Sequence, residues 1–306
     1  MNFSKKWLIR PQNVLTFTLR NNSTNSSAEY CMNLVKNYDY ENFIGTLLLK
    51  KTSRSCAFAV RSFNVEVARV AEQVSEKDIG LMRIKFWEDT LDKCFAKDVS
   101  KIPRHPVALE LSKAVTAYKL SKRNFKNLIT SRKEHFNLNS FNSLDDMEKY
   151  SEQSVSSVYY LILEGCGIKN IHADHAASHL GKAQGIVQQL RSISQSQRLN
   201  FISLPQNILV KNNVSHEELF RCKSSKPLSD CVYEVASRAH QHLMKARGLQ
   251  ENVPSEGRDV FLPAVAIFAY LDRLQKVDYD IFHPKLKYRQ WNLLFQMWLT
   301  NFRNKY

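Results

Sequence analysis

The chain has 306 residues and a mass of 35.5 kDa, which is enough for one large domain or two of ordinary size. Hydrophobic residues make up 43% of it and only eight glycines and eight prolines occur, so the composition excludes a disordered protein. The net charge is +15, but basic and acidic residues are interspersed and no common nucleic-acid-binding motif occurs, so we expect no nucleic-acid partner. The six cysteines show no regular spacing, which argues against a zinc ribbon or a disulfide framework and favours a reducing compartment.

The first 28 residues have the composition of a mitochondrial presequence. Four basic residues and no acid precede Glu29, and the segment is rich in serine, threonine and asparagine, with apolar residues between the charges. The alternative is a basic tail without a targeting role. We predict a presequence over residues 1–28 and a helical domain over residues 29–306.

From residue 29 onward, one helical pattern follows another. Apolar residues recur at three- and four-residue steps, and no run alternates in the manner of a strand. Ser143 with Asp146, and Ser75 with Asp78, are the pairs expected at capped helix starts. No linker rich in glycine, serine or proline divides the chain, so we predict one all-α domain. The predicted helices cover residues 30–50, 53–74, 75–95, 107–120 and 122–136, and another begins at 143.

Residues 179–205 form a helix-like run that ends at a proline and contains no acidic residue. Gly181 and Gly185 lie four residues apart, where each costs about 1 kcal/mol relative to alanine in a helix. Close helix packing or a bound ligand would compensate for that cost, and packing is the commoner reason. An apolar stripe on one face of this helix is predicted from Leu180, Ala183, Ile186, Val187 and Leu190.

Four side chains near the start of this helix are candidate metal ligands, namely His172, Asp174, His175 and His179. His175 and His179 are four residues apart and share a helical face, which is one requirement for a zinc pair. No nearby glutamate or cysteine completes a site, and Asp174 has the position of a helix N-cap. We therefore predict structural or capping roles for these residues and no bound metal.

The C-terminal segment is the candidate for membrane contact. The uncharged residues 260–271 are too short to span a bilayer, which requires about 20 residues, so a contact would be at the surface. No acid follows Asp280, and basic residues flank an aromatic stripe, as at an interface with anionic lipid. The alternative is that the stripe packs against the core. The stripe contains Tyr288, Trp291, Phe295, Trp298, Phe302 and Tyr306. The candidates for lipid contact are Trp291, Phe295, Trp298 and Phe302. The basic residues that flank the stripe are Lys285, Lys287, Arg289, Arg303 and Lys305.

Residues 179–205 resemble the second signature of the squalene and phytoene synthase family. The positions that carry this resemblance are Gly181, Ala183, Leu190, Arg191, Leu204 and Pro205. In the family, an aspartate-rich cluster holds the magnesium ions that bind the substrate diphosphate, and its positions correspond to Ser192, Gln195 and Ser196. None of the three supplies the carboxylate that magnesium usually requires, so the resemblance implies a relic metal motif.

Residues 57–72 resemble the first signature of the same family, in which paired aspartates are followed by another acid one turn later. The pair corresponds to Ala68 and Arg69, and only Glu72 remains as an acid. In the family, acids spaced in this way lie on one face of each of two facing helices and share a metal cluster. A cation at position 69 would repel magnesium, and we predict neither a metal nor another cofactor.

The resemblance can be followed from about residue 30 to about residue 250. It implies an all-α, single-domain isoprenoid-synthase-type helical bundle around a central cavity. Four strings are most similar to a divergent branch of the family that assists the assembly of mitochondrial respiratory complex I: FNVEVARV, SEKDIGLMRIKFW, HADHAASHLGKAQGIV and VDYDIFHP. That branch implies complex I subunits or assembly intermediates as partners, and a location on the matrix side of the inner membrane.

Three functions remain open from the sequence. The first, which we favour, is a non-catalytic, chaperone-like factor for complex I assembly. The second is a protein that binds a prenyl or lipid phosphate without metal through Arg61, Arg69 and Arg191, since guanidinium groups bind phosphate oxygens well. The alternative role of these arginines is ordinary solvated or ion-paired helix surface. The third is an active prenyl-condensing enzyme, which would have to stabilise a departing diphosphate without metal ions.

Overall fold

The computed structural model of the protein describes residues 26–74, 76–96 and 98–306. Over these ranges the chain forms α-helices and short helical turns, and the one β-type pairing found there is an isolated parallel bridge between Ser140 and Ile202. The prediction of an all-α fold is confirmed. The predicted presequence, residues 1–28, lies outside the described residues except for its last three.

Fifteen α-helices account for most of the described residues. The first eight are α1 (Ser27–Tyr38), α2 (Tyr40–Leu48), α3 (Lys51–Gln73), α4 (Lys77–Phe95), α5 (Pro106–Tyr118), α6 (Lys122–His135), α7 (Leu144–Ser151) and α8 (Ser157–Gly165). The other seven are α9 (Ile171–Ser192), α10 (Ser196–Leu199), α11 (Gln206–Lys211), α12 (His216–Phe220), α13 (Lys226–Gly248), α14 (Pro263–Gln275) and α15 (Leu293–Phe302). A π-helical segment, Glu152–Ser156, joins α7 directly to α8.

Most helix boundaries follow the local chemistry of the sequence. Helices α3 to α6 match the predicted helices to within two residues at each end. At α7 the predicted capping box is confirmed, because the Ser143 hydroxyl accepts a hydrogen bond from the Asp146 amide (3.2 Å) and the Asp146 carboxylate accepts one from the Ser143 amide (3.0 Å). Ser75 lies outside the described residues, and the residue that precedes α4 is Glu76.

Two of the predicted helices are interrupted. The helix predicted over residues 30–50 divides into α1 and α2 at Asp39, whose φ of −143° and ψ of 55° are not helical and whose carboxylate accepts a hydrogen bond from the Asn42 side chain (2.7 Å). The run over residues 179–205 does not remain helical to the proline, because α9 ends at Ser192 and Asn200 has a φ of +48°. Aspartate and asparagine form local hydrogen bonds outside helices and tolerate such conformations, so the apolar periodicity did not reveal these breaks.

Helix α9 lies in the core and packs against α7, α13, α14 and the π-helical segment. Its predicted apolar stripe is confirmed. Each side chain of the stripe is at most 2% exposed: Leu180, Ala183, Ile186, Val187 and Leu190. The helix is therefore enclosed by other helices over much of its circumference, and its C-terminal end is held in a defined position.

Gly181 and Gly185 bring the backbone of α9 into contact with the helix that runs through α7 and the π-helical segment. A Cβ atom at Gly181 would lie 2.5 Å from the Cα atom of Ser156, and one at Gly185 would lie 3.0 Å from the Cα atom of Ser151. A side chain at Gly181 could not fit without separating the two helices. Packing therefore explains both glycines and offsets their low helix propensity.

We expect Gly181→Ala to lower the free energy of unfolding by about 2–3 kcal/mol, because the added methyl group forces α9 away from the π-helical segment. Gly248→Ala is the matched control, since Gly248 is the last residue of α13 and a Cβ atom there would meet nothing within 4 Å. The control should be as stable as the wild type or slightly more stable. Urea unfolding measures both variants, and equal stabilities would contradict the packing argument.

Candidate functional site

The positions that correspond to the second metal motif lie at and just beyond the C-terminal end of α9. The Ser192 hydroxyl oxygen is 2.5 Å from the hydroxyl oxygen of Ser203. The Gln195 side-chain oxygen accepts a hydrogen bond from the Arg198 guanidinium (2.6 Å), and Ser196 is buried. Neutral side chains thus occupy all three positions, and two of them are engaged with neighbouring side chains.

The positions that correspond to the first metal motif lie toward the C-terminal end of α3. Ala68 and Glu72 are exposed to solvent. The guanidinium carbon of Arg69 lies 3.5 Å from the centre of the Tyr38 ring, a cation–π contact that holds this side chain against the end of α1. Two of these side chains therefore face solvent while the third packs on a neighbouring helix.

Residues 38–41, called here the α1–α2 junction, receive all three of the arginines proposed to bind phosphate. In addition to the cation–π contact just described, Arg61 Nη1 lies 4.0 Å from Asp39 Oδ2, and Arg191 Nη1 lies 2.9 Å from Glu41 Oε2. Arg61 belongs to α3 and Arg191 to α9, so the helices of both signatures meet at the junction. Arg61 and Arg191 therefore each have an acidic partner at the junction.

In the Arg61–Asp39 pair, Arg61 is buried, at 4% exposed, and the Asp39 side chain is 19% exposed. Burial raises the pKa of the Asp39 carboxyl, while attraction to the Arg61 guanidinium opposes that rise. Sequence analysis missed both acids of the junction. No local pattern marks Glu41 as the partner of Arg191, which lies 150 residues further along the chain.

A cleft of about 740 Å³ opens beside the α1–α2 junction, between α9, α14 and the segment that leads into α15. Arg191 lines it, together with three cationic side chains that were not proposed as phosphate ligands. Arg273 Nη1 donates a hydrogen bond to the Tyr288 carbonyl oxygen (2.8 Å), and the Arg289 guanidinium carbon lies 4.5 Å from the centre of the Tyr40 ring. The charged side chains that line the cleft are Arg191, Arg273, Lys287, Arg289, Asp39 and Glu41, so cations exceed acids by four to two.

The histidines at the start of α9 do not converge. His172 and His175 are exposed, whereas His179 turns toward α13, where its Nδ1 atom lies 2.9 Å from Nδ1 of His242. The prediction that Asp174 caps the helix is wrong, because α9 begins earlier and the Asn170 side chain accepts hydrogen bonds from the amides of residues 172 and 173 (both 2.9 Å). In the described part of the chain, no group of three or more His, Cys, Asp or Glu side chains is placed to hold a metal ion.

The aromatic stripe at the C-terminus lies largely on the surface. Tyr288 and the four candidates for lipid contact are exposed, and only Tyr306 is buried, so the alternative that the stripe packs against the core is wrong for all but its last residue. The helix is also shorter than the stripe, since α15 begins at Leu293. Among the helices in the described ranges, none is long and apolar enough to cross a bilayer.

The helical architecture defines an isoprenoid-synthase-type fold. The protein superimposes on a dehydrosqualene synthase crystallised with a ligand with a TM-score of 0.74 at 18% identity, covering 89% of this chain and 95% of that one. A squalene synthase, HpnC from Alicyclobacillus acidocaldarius, gives a TM-score of 0.72 at 17% identity, covering 83% and 94%. At these identities the comparison establishes the fold alone.

The sequence model of the squalene/phytoene synthase family matches residues 35–292, and the chain belongs to this family. It is 41% identical over 277 residues to the NADH dehydrogenase (ubiquinone) complex I assembly factor 6 of Bos taurus, covering 90% of this chain and 82% of the bovine protein. It is 45% identical over 260 residues to the Drosophila melanogaster homolog of that factor, covering 84% and 78%. Identity to the 15-cis-phytoene synthase of Synechococcus elongatus is 20% over 285 residues, covering 89% and 91%.

His135, which sequence analysis did not single out, makes the stability of the fold depend on pH. Its ring lies against those of Phe141, Tyr150 and Phe201, with centroid distances of 5.8, 4.9 and 4.1 Å. Burial lowers the pKa of His135 to about 4, and burial likewise lowers that of His179 to about 4. Protons bind these two imidazoles more readily in the unfolded chain than in the folded one. Their contribution to the free energy of unfolding is therefore complete above the unfolded pKa of about 6.5 and is lost as the pH falls toward 4.

We expect the free energy of unfolding of the wild type to decrease as the pH is lowered from about 7.5 to about 5. In His135→Phe this decrease should be smaller by about 2 kcal/mol. The substitution keeps an aromatic ring among aromatic neighbours and eliminates the buried titrating group. Exposed His172→Gln is the control and should keep the wild-type dependence. Urea titrations at several pH values measure the slopes, and an unaltered slope in His135→Phe would refute the assignment.

Proposed function

We propose that this protein is a non-catalytic assembly factor for NADH dehydrogenase (ubiquinone) complex I that acts in mitochondria, on the matrix side of the inner membrane. The observation that carries the proposal is the 41% identity to the bovine assembly factor 6 across 90% of this chain. Its partners are then complex I subunits or assembly intermediates. The proposal includes a presequence in residues 1–28, whose basic, acid-free composition suits import.

The chemistry of the relic motifs supports the absence of catalysis. Condensation of prenyl diphosphates requires stabilisation of a departing diphosphate, for which hard dications held by carboxylates are the usual means. Ser192, Gln195 and Ser196 are neutral, and Arg69 brings a positive charge to the first motif. At these positions the chain lacks the carboxylates that would hold such ions for the principal electrostatic contribution to that reaction.

In mitochondria depleted of this protein, we expect assembled complex I and its NADH:ubiquinone reductase activity to fall, and the wild-type chain to restore both. Ser192→Ala/Ser196→Ala should restore them equally, because neither hydroxyl serves a reaction. Gly181→Ala should restore them less, in proportion to its lower steady-state level. Native gel electrophoresis of complex I, with immunoblots of each variant, measures the outcome.

Two results would overturn the proposal. Normal complex I after complete depletion would remove the assembly role. Magnesium-dependent release of diphosphate from farnesyl or geranylgeranyl diphosphate by the purified protein, abolished in Ser192→Ala/Ser196→Ala, would show that it is an enzyme.

A second candidate function is binding of a prenyl or lipid phosphate in the cleft without metal, and we propose it on one observation. Four cationic side chains line a cleft of about 740 Å³, and one of them, Arg191, belongs to the second signature. The Arg191 guanidinium is about one-third exposed, so it can donate hydrogen bonds to a phosphate in addition to Glu41. Arg61 and Arg69 contribute indirectly, because they hold the α1–α2 junction that forms one wall.

For this second function, we expect farnesyl phosphate to bind in the presence of EDTA, and Arg191→Ala/Arg273→Ala to weaken binding by about tenfold or more. Lys211→Ala, which alters an exposed ion pair with Glu234 away from the cleft, is the control and should bind normally. Isothermal titration calorimetry gives the affinities. A requirement for magnesium, or equal affinity in the two variants, would exclude metal-free binding in this cleft.

A further inference from the structure

The outer face of α15 is an apolar surface without a partner in the described chain. Its other face is buried, since Leu293 and Met297 pack with Ile44, Val265 and Ala266. Four aromatic side chains that project outward, here called the aromatic ridge, are between 50% and 92% exposed: Trp291, Phe295, Trp298 and Phe302. Three of these rings are stacked, with centroid distances of 6.1 Å from Phe295 to Trp298 and 5.9 Å from Trp298 to Phe302.

The size of the ridge distinguishes it from the scattered apolar side chains of an ordinary surface. An aromatic side chain can bury roughly 150–250 Å². The three stacked rings, with exposed Trp291 just before the helix, therefore present apolar area of the kind that marks an interaction site. The remaining question is which partner covers it.

The charged residues that flank the ridge in the chain indicate which kind of partner it binds. Five basic residues and no acid occur in residues 281–306, and all five are exposed: Lys285, Lys287, Arg289, Arg303 and Lys305. A second copy of the chain would bring the same cations face to face and carries a net charge of +15, so self-association through this face is opposed. Exposed aromatic rings flanked in the chain by lysine and arginine match the headgroup region of an anionic bilayer, where rings enter the interface and cations remain near the phosphates.

The ridge is held in place before any partner binds. The Tyr306 ring lies against Phe261, with centroids 4.8 Å apart, and its hydroxyl donates a hydrogen bond to the Ala246 carbonyl oxygen (3.1 Å). Together with the burial of Leu293 and Met297, this contact fixes both ends of α15. Docking therefore requires little ordering of the protein, which favours binding.

We propose that the aromatic ridge is the surface by which this protein docks on an anionic lipid bilayer, with the exposed basic residues that flank it in the chain contacting lipid phosphates. The protein then lies on the bilayer without crossing it. Only the choice of the mitochondrial inner membrane as the physiological bilayer rests on the function proposed above. Because Tyr288, Arg289 and Leu293 line the cleft, docking also places one rim of the cleft next to the headgroups.

The full-length protein should bind phosphatidylcholine vesicles that contain phosphatidylglycerol, and bind vesicles of phosphatidylcholine alone more weakly. Added salt should weaken the binding. We expect Trp291→Ser/Trp298→Ser to lower the partition coefficient by about tenfold or more, and Arg303→Gln/Lys305→Gln to lower it by about fivefold per charge removed. Ile79→Ser/Met82→Ser removes two exposed apolar side chains from α4 and should leave binding unchanged. Vesicle flotation measures all four proteins.

A measurement on the wild type makes the test independent of variant folding. Of its four tryptophans, Trp291 and Trp298 are exposed and Trp87 is buried. Vesicles that carry brominated lipid should therefore quench tryptophan emission upon binding. Three results would each overturn the proposal. They are equal flotation of the ridge variant and the wild type, absence of quenching, and a dimer detected by ultracentrifugation that Trp291→Ser/Trp298→Ser abolishes. None of these results depends on complex I, so they are separable from a failure of the assembly role.

Discussion

The close approach of α9 to the π-helical segment is the constraint on which the rest of the structure depends. Because Gly181 and Gly185 carry no side chains, the two backbones can touch while α9 also packs against α13 and α14. The position of α9 then determines where Arg191 enters the cleft and where Ser192 meets Ser203. Since interiors are densely packed and poorly compressible, a displacement of α9 would move the whole site. The packing of the core therefore determines the geometry of the cleft.

At the α1–α2 junction, two arginine side chains are paired with acidic side chains of the protein itself. In the family signatures, acids on two helices gather metal ions, whereas here arginines of α3 and α9 pair with acids of the α1–α2 junction. Such pairs need no dication, but a buried pair is stable only while both partners are present. The cleft beside the junction is lined by more cations than acids. Such an excess of positive charge favours an anion over a cation.

The cleft and the aromatic ridge are formed partly by the same segment of chain. Tyr288, Arg289 and Leu293 line the cleft, while Trp291 between them is the most exposed member of the ridge. Arg273 holds this segment by its hydrogen bond to the Tyr288 carbonyl oxygen. The same segment therefore contributes to one wall of the cleft and to the exposed ridge.

The sequence by itself determined the all-α class, the family and most boundaries of helices α3 to α6. Capping at Ser143, the stripe on α9 and the signature match involve residues close together in the chain, so local patterns were enough to identify them. Only the tertiary structure decided which side chains are buried and which side chains contact each other. Both faces of α15 are apolar, so hydropathy could not tell that Met297 is buried and Phe295 exposed. Likewise, the pairing of Glu41 with Arg191 joins side chains 150 residues apart, and such contacts depend on how the helices pack, which local patterns do not specify.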